Sequence, residues 1–580
     1  MKIKRLLIGM LACSAMVACT NEDLLDNNDQ NLKGNEYYVA VSFAMPGNGS
    51  SRALGSTPTF EDGTSAELKV NKATFFFMNA AGKSCADAFT LPTIANLDPW
   101  TGVDATGKAN VDATSSPVIV MKNATEIPSS IIAILNADVT ATRPTLAQLQ
   151  ALVDNYATET YNAFNKTNGM VMSSTAYKDN NGELVIGAPV SVNNVYQDRN
   201  ELTNKLNQGD KADAAMIPVV IPVEKVLAKV HVAQADEMTK ANLSYSVEDA
   251  DQNAANNTIN FTVKIDGWWL DSAPTNSYLL KNMKFTGLTG SWWNDVANKR
   301  SYWANSSATA NYFNYKYSTM ATNNADLYCQ ENTLNNTLQT EDNDNVNNEN
   351  QRTKVVVAAT LMNGENPVSL VKWFGQYYTE AGFLATVANL SDVKKYYKQT
   401  AENTYESLAV SDLKIVYNTD KTTNTEAGTG TQEDITVGTN KEEIRNYEAV
   451  VVLDETKVTA LYTLSNTNGT TVAAAANIDN VNEELKNITR MQFWNGGKTY
   501  YYVDLEHCSV TEDAAAQYGI VRNHLYNLTL NGINGLGTPV PNPDKVIIPE
   551  KPGDSDMDTY ISAKIEILSY RVVSQNVTLQ

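Results

Sequence analysis

Histidine and cysteine are scarce in this sequence, and most catalytic and metal chemistry goes with them. Only three histidines occur, His231, His507 and His524, and none falls in an HExxH or comparable spacing. Past the amino-terminal segment the cysteines are Cys85, Cys329 and Cys508, far apart, odd in number and without a CxxC. Neither a zinc site nor a disulfide framework follows from that pattern, although a single bridge stays open. A G-x-S-x-G elbow, a P-loop and a dinucleotide fingerprint are also missing, so the sequence reads as a non-enzyme without a cofactor or metal. Cations are in deficit: 44 Lys and Arg stand against 65 Asp and Glu, a net charge of −21. That balance argues against nucleic acid and against direct binding to anionic lipid, because phosphate contacts need clustered cations. Beyond the amino terminus no apolar run approaches the ~18 residues of a membrane span.

The amino terminus is different. Lys2, Lys4 and Arg5 precede an apolar stretch from Leu6 to Val17, too short to cross a bilayer, and then Ala18-Cys19. This is the pattern of a secretory signal peptide, residues 1–18. Met16-Val17-Ala18-Cys19 resembles a bacterial lipobox, which implies that Cys19 becomes the lipidated first residue. TNEDLLDNNDQN follows, acidic and Asn-rich, a poor core former suited to a tether, and its Glu22-Asp23 resembles an acidic surface-export signal. Arg52 then stands alone among small residues in GNGSSRALG, with no other arginine between Arg5 and Arg143. An arginine so placed, in a flexible stretch between a strand-like run and the globular part, is an accessible cut site before Ala53.

A chain of 580 residues is too long for one ordinary domain. Its dominant signal is short β-runs separated by Asn, Gly, Thr and Ser: 68–78, 116–122, 129–137, 182–192, 215–233, 257–270, 353–362, 413–418, 497–507 and 524–530. Helical spacing is confined to 145–164, 382–397 and 480–488. The fold class expected is mainly β, a β-rich α+β architecture. A polar stretch after the 215–233 run sets a domain boundary near 235, giving units 53–235 and 236–537. The acidic segment 340–352 offers Asp342, Asp344 and Glu349 but lacks the turn glycine of a calcium loop, so a solvated loop is expected. Trp268-Trp269 and Trp292-Trp293, with Trp303, are candidates for a sugar-stacking platform, yet in a strand one member of each pair faces the core.

The two ends of the globular part complement each other. Tyr37 to Met45 puts Val39, Val41, Phe43 and Met45 on one strand face, and burying those four is worth roughly 6–12 kcal/mol gross. A cut after Arg52 turns this strand into a replaceable peptide, and its loss leaves an apolar groove with unpaired amides and carbonyls, a template for another strand. At the other end, residues 538–580 hold five of the seventeen prolines, a stiff spacer, and then an alternating tail. In that tail Ile561, Ala563, Ile565 and Ile567 share one side, and Val573, Gln575, Val577 and Leu579 repeat the pattern. Held out on its spacer, this tail is the candidate donor.

From the lipobox through SSRALG and AKVHVA to GIVRNHLYNLTLNGINGLG and the final IEILSYRVVSQNVTL, the chain resembles the fimbrillins, the major subunits of type V pili of Bacteroidales, above all the shaft subunit of short fimbriae. The resemblance implies two transthyretin-like β-sandwich domains behind a lipidated propeptide, residues 19–52. It implies export through the periplasm and outer membrane as a lipoprotein, cleavage at Arg52-Ala53 by an arginine-specific surface protease, and insertion of one subunit's terminal strand into the next. Implied partners are copies of the chain, anchor and tip subunits, and host or bacterial surface ligands. Val521, Arg522, Asn523, His524 and Tyr526 match the family's signature segment, where a loop-tying structural role is expected. One departure is Ser569-Tyr570, where relatives carry Pro-Trp. The competing assignment is a tip, accessory or anchor protein, or a retained lipoprotein that binds glycans.

Overall fold

The computed structural model describes residues 36–44, 67, 69–97, 118–155, 169–178, 184–207, 219–240, 243–249, 257–271, 274, 276–283, 304, 315–332, 352–417, 448–467, 470–507, 518–544, 546–547, 561–569 and 573–576. Strands dominate them, so the fold is mainly β.

The first sheet is built from β1 (Glu36–Ala44), β2 (Val70–Met78), β3 (Phe89–Leu97), β4 (Val118–Lys122), β5 (Ser130–Leu135), β6 (Met172–Ser174), β7 (Ala188–Pro189) and β8 (Val219–Lys225). Their order is β3-β2-β5-β6-β8-β1-β4, with β7 added beside β5. Both faces are covered, which is why β2 and β5 read as continuous apolar runs rather than alternating ones. Phe75 and Phe77 lie in one core with Val39, Val41, Ile119, Met121, Ile131 and Ile221. Phe76 and Met78 face the other way, against Ile132, Ile134, Leu149, Leu227 and Leu280.

Past β8 the chain changes sheet. The run expected as one strand over 215–233 is two, β8 and β9 (Ala228–Lys240), separated at Val226-Leu227, and β9 continues past residue 235 with a shift in its pairing register between Gln234 and Thr239. The remaining strands labelled here are β10 (Leu243–Glu248), β11 (Thr258–Asp271), β12 (Leu327–Cys329), β13 (Lys354–Asn363), β14 (Leu370–Trp373), β15 (Gln376–Thr379), β16 (Tyr396–Ala401), β17 (Thr404–Ser407), β18 (Leu413–Tyr417), β19 (Glu448–Leu453), β20 (Leu461–Thr467), β21 (Thr470–Ala476), β22 (Met491–Trp494), β23 (Lys498–Asp504), β24 (His524–Ile533), β25 (Thr538–Pro539), β26 (Ile561–Ser569) and β27 (Val573–Asn576). A five-stranded sheet, β12-β9-β24-β26-β27, packs on an eleven-stranded one that runs β18-β19-β22-β14-β15-β10-β11-β13-β23-β25, with Asn366–Pro367 added beside β13. Val230, Tyr526, Leu528 and Leu530 from the former meet Trp269, Val355, Val357 and Tyr501 from the latter in one core. A small sheet, β17-β16-β20-β21, stands apart.

Helices are short and capped. Thr145 forms a capping box with Gln148 at the start of a helix, as the sequence suggests, but that helix spans only Leu146–Gln150. The helix expected over 145–164 is therefore corrected up to residue 155: after Ala151 the chain becomes a strand, Val153–Asn155, paired with Asn276–Tyr278, and 156–164 lie outside the described residues. The segment 382–397 holds two helices, Glu380–Ala388 and Ser391–Lys394, broken at Asn389-Leu390, before β16 begins. Ile478–Ile488 is a helix capped by Asn477, its Val481 and Leu485 buried.

Candidate functional site: a strand slot and a terminal ribbon

β1 is not an edge strand. Its first half runs antiparallel to β4, Glu36 opposite Lys122 through Ala40 opposite Val118. Its second half runs parallel to β8, Val41 opposite Val219 through Ala44 opposite Pro222. On the flank away from β4, Tyr38 exchanges backbone hydrogen bonds with Tyr196, its N–H donating at 2.8 Å and its carbonyl accepting at 2.9 Å. Alternation puts Tyr37, Val39 and Val41 on the core face, where all three are buried. The strand thus closes a slot floored by Ile119, Met121, Val219 and Ile221 and roofed by Phe75 and Phe77. The groove that its loss would leave lies inside the sheet, so an empty slot would have unpaired backbone on two sides.

Tyr37 was not among the expected slot residues, because a phenol is a poor sequence marker of a core. Its ring is 2% exposed, its hydroxyl makes no hydrogen bond among the described residues, and burial raises its pKa. Phe43 pairs with Ile221 in the ladder. Met45, Arg52, Ala53 and Cys19 lie outside the described residues.

The tail does not stand free on its spacer. β26 runs antiparallel to β24 over nine partners, Ile533 opposite Ile561 to His524 opposite Ser569, with a bulge between Leu530 and Gly532. Among the described residues β27 pairs with β26 alone and is the last strand of that sheet. Val577 and Leu579 lie outside the described residues. Two strand systems therefore bear on the tail: its own β24, which it occupies, and the slot now filled by β1.

Between slot and ribbon sits the 521–526 segment, and its role is structural. Arg522 is fully buried; its Nη2 meets Glu331 Oε2 at 2.6 Å and donates to the Tyr278 carbonyl at 2.9 Å. Glu224, at the end of β8, pairs with Lys281 Nζ at 3.0 Å, and burial pushes its carboxyl up despite the nearby Lys281 and Arg522 charges. Asn523 takes the left-handed conformation, φ 59°, that Asn tolerates. From there it donates its N–H to the Leu227 carbonyl at 2.9 Å, and its side-chain oxygen accepts from Lys225 N at 3.2 Å. These contacts staple β24 to the crossing between β8 and β9. His507 Nδ1 lies 2.9 Å from the Tyr526 hydroxyl, and burial, with His524 beside it, holds His507 well below the usual histidine pKa. A second staple is at Glu67, which is fully buried, accepts from the Tyr328 hydroxyl and lies 3.2 Å from Lys229 Nζ on β9.

Other candidates fare less well. Trp268 and Trp269 are both buried, 3% and 9% exposed, which removes them as a sugar platform. The end of β11 is buried over 267–271: the backbone N–H of Trp268 donates to the Asn323 carbonyl at 3.0 Å, and Gly267 lets the Met320 carbonyl approach where a Cβ would clash. Trp292, Trp293 and Trp303 lie outside the described residues, as does 340–351. Cys85 and Cys329 are buried free thiols, their pKa values pushed by burial to about 11 and about 12, and Cys508 lies outside the described residues. Among the described residues no group of His, Cys, Asp and Glu could hold a metal ion, and no helix is long and apolar enough to cross a membrane.

Comparison with known proteins gives the following. Residues 492–576 match the family described as major fimbrial subunit protein type IV, fimbrillin, C-terminal. No curated protein matches the chain. Among solved structures, a fimbrilin from Porphyromonas gingivalis aligns at 13% identity and TM-score 0.33, covering 91% of this chain and 96% of its own. The tip fimbrial protein Mfa3 from the same organism aligns at 10% identity and TM-score 0.29, covering 92% and 99%. Scores this low add nothing to the fold described above. The matched segment takes in the strands from β22 to the ribbon, and over these residues the chain is similar to the C-terminal region of the fimbrillins.

Proposed function

We propose that the chain is a shaft subunit of a surface fimbria, exported as a lipoprotein on Cys19 and polymerised by protease-triggered strand exchange. Its role is structural rather than enzymatic, and it supports adhesion. The observation that carries this is the place of β1: it sits on the far side of Arg52 from the body of the chain, yet it closes the core with Tyr37, Val39 and Val41 buried. Cleavage of Arg52-Ala53 makes β1 a separate peptide, and its departure leaves a slot between β4 and β8 that only another extended strand can satisfy.

The replacement is the terminal ribbon of the next copy, through Ile561, Ala563, Ile565 and Ile567 or through Val573, Val577 and Leu579. Because β27 has a ladder on one side only among the described residues, it is the first part to leave its own sheet, and β26 follows by trading β24 for the slot. Glu67 and its Lys229 and Tyr328 partners keep the new amino-terminal segment on the body, so only the peptide before Ala53 departs. Partners are thus copies of the chain, the anchor and tip subunits of the same fimbria, an arginine-specific surface protease, and the surface ligands that the filament meets.

The test is cleavage of purified precursor by an arginine-specific protease, read by amino-terminal sequencing and by mildly denaturing gels. Ala53 as the new terminus, with ladders that vanish in Arg52→Ala and on deletion of 560–580, is the expected result. Ladders formed by either variant would refute the exchange.

A further inference from the structure

The small sheet β17-β16-β20-β21 is rooted in the core only at its base, where Tyr396 and Leu461 are buried. Distally it has no core of its own. In the β20-β21 hairpin beyond that base, Ser465, Asn466 and Thr467 on β20 and Thr470, Thr471 and Val472 on β21 are all exposed. Since consecutive residues of a strand point to opposite faces, both faces of this arm are open. A two-stranded arm with neither face covered is marginal in water.

Its two edges differ. β17 is four residues long and carries the exposed Glu406, the kind of charge that keeps an edge from pairing. β21, TTVAAAA, is seven residues long with no charge, no proline and no bulge in its register with β20. Among the described residues it pairs with β20 alone, so alternate N–H and C=O groups of β21 point away from the sheet. Val472, at the middle of this edge, is 46% exposed.

We infer that β21 is an interface between two copies of this chain, joined antiparallel through their β21 edges into one continuous sheet. The complement of a bare edge is an extended strand, and charge selects which. In a chain of net charge −21, copies repel except where neutral surfaces meet, and neither β20 nor β21 contains a charged residue. With the two-fold axis at Ala473, Thr470 faces Ala476, Thr471 faces Ala475 and Val472 faces Ala474. Every facing pair is small and uncharged, so nothing blocks backbone pairing, and no charge pattern favours a different partner. A two-fold contact of this kind closes on itself. It therefore joins subunits of neighbouring filaments, or pairs uncut precursors, and does not propagate a single filament. It is separate from the slot and needs neither cleavage nor the ribbon.

The experiment is sedimentation equilibrium of the full-length signal-free precursor with Arg52 intact, across a concentration series. A reversible dimer is expected, with dimerisation weakened at least about tenfold by Ala473→Lys, which sets two like charges together at the axis. Thr471→Lys should act likewise, and it should melt like the parent because Thr471 is exposed in the monomer, whereas Ala473 is half-buried. Hydrogen exchange should slow in residues 470–476 as concentration rises. A parent that stays monomeric throughout would overturn the inference. So would a dimer untouched by both lysines, or one lost on deletion of 573–580, which would assign the contact to the terminal ribbon. Failure here leaves cut-dependent ladders intact, and failure of strand exchange leaves this dimer intact.

Discussion

Weakening the seat of β1 should accelerate the departure of the cut peptide, and the size of the effect follows from the slot. Val39 and Val41 are 0% exposed and pack on different flanks, opposite Ile119 of β4 and Val219 of β8. Changing both to alanine removes two methyl groups at each site, about 1.6 kcal/mol apiece at ~0.8 kcal/mol per group, and residual cavities raise the sum to ~3–4 kcal/mol. At 1.4 kcal/mol per tenfold, the bound peptide should be destabilised by a factor of about 10² or more. The assay uses signal-free precursor labelled at its amino group, cut at Arg52, with peptide release followed by fluorescence anisotropy. Release should be faster by up to that factor and the lag before ladders should shorten, while the uncut variant melts lower than the parent. A lower melting temperature with release and lag unchanged would show that β1 does not leave during assembly, and the slot mechanism would fall.

Two further outcomes follow from the junction beneath the slot. Glu331→Gln removes the charge paired with fully buried Arg522 and should destabilise the fold by about 3–5 kcal/mol in denaturant titration, because a lone buried guanidinium remains; a change under about 1 kcal/mol would contradict the ion-pair assignment. His507, buried and held neutral, is protonated in the unfolded chain once pH falls below about 6.5 while the folded chain resists, so its stability is complete above that pH and is lost going down. The loss should approach ~1.4 kcal/mol per pH unit below 6.5 and should flatten in His507→Gln; an unchanged slope in that variant would show that other groups set the acid limit.

Much of this architecture was legible because half-buried strands advertise themselves by alternation. β1 is the clearest instance: Val39 and Val41 stand on the core face as their spacing requires. Tyr37 completed that face unseen, since its hydroxyl argues against burial. Strand partners were not legible. That β1 lies between β4 and β8, and that the tail rests on β24, depend on contacts between residues hundreds of positions apart, which no local pattern encodes. The 145–164 error has a local cause: the capping box at Thr145 and Gln148 starts a helix, but pairing of Val153–Asn155 with Asn276–Tyr278 overrides the helical spacing beyond it. Likewise the Trp268-Trp269 pair looked half-exposed because strand alternation says nothing of a second layer, and here the 317–323 segment supplies one. The junction of Arg522, Glu331, Glu224 and Lys281 had only one sequence signal, the signature segment itself, since its partners lie on separate elements.

A structure of the assembled polymer tests the central claim most directly. The account predicts that residues 36–44 are gone, that Ala53 begins each subunit, and that the space between β4 and β8 holds an extended strand from residues 561–580 of the adjacent copy. Residues 36–44 still seated between β4 and β8, or each ribbon still paired to its own β24 with the slot empty, would contradict it.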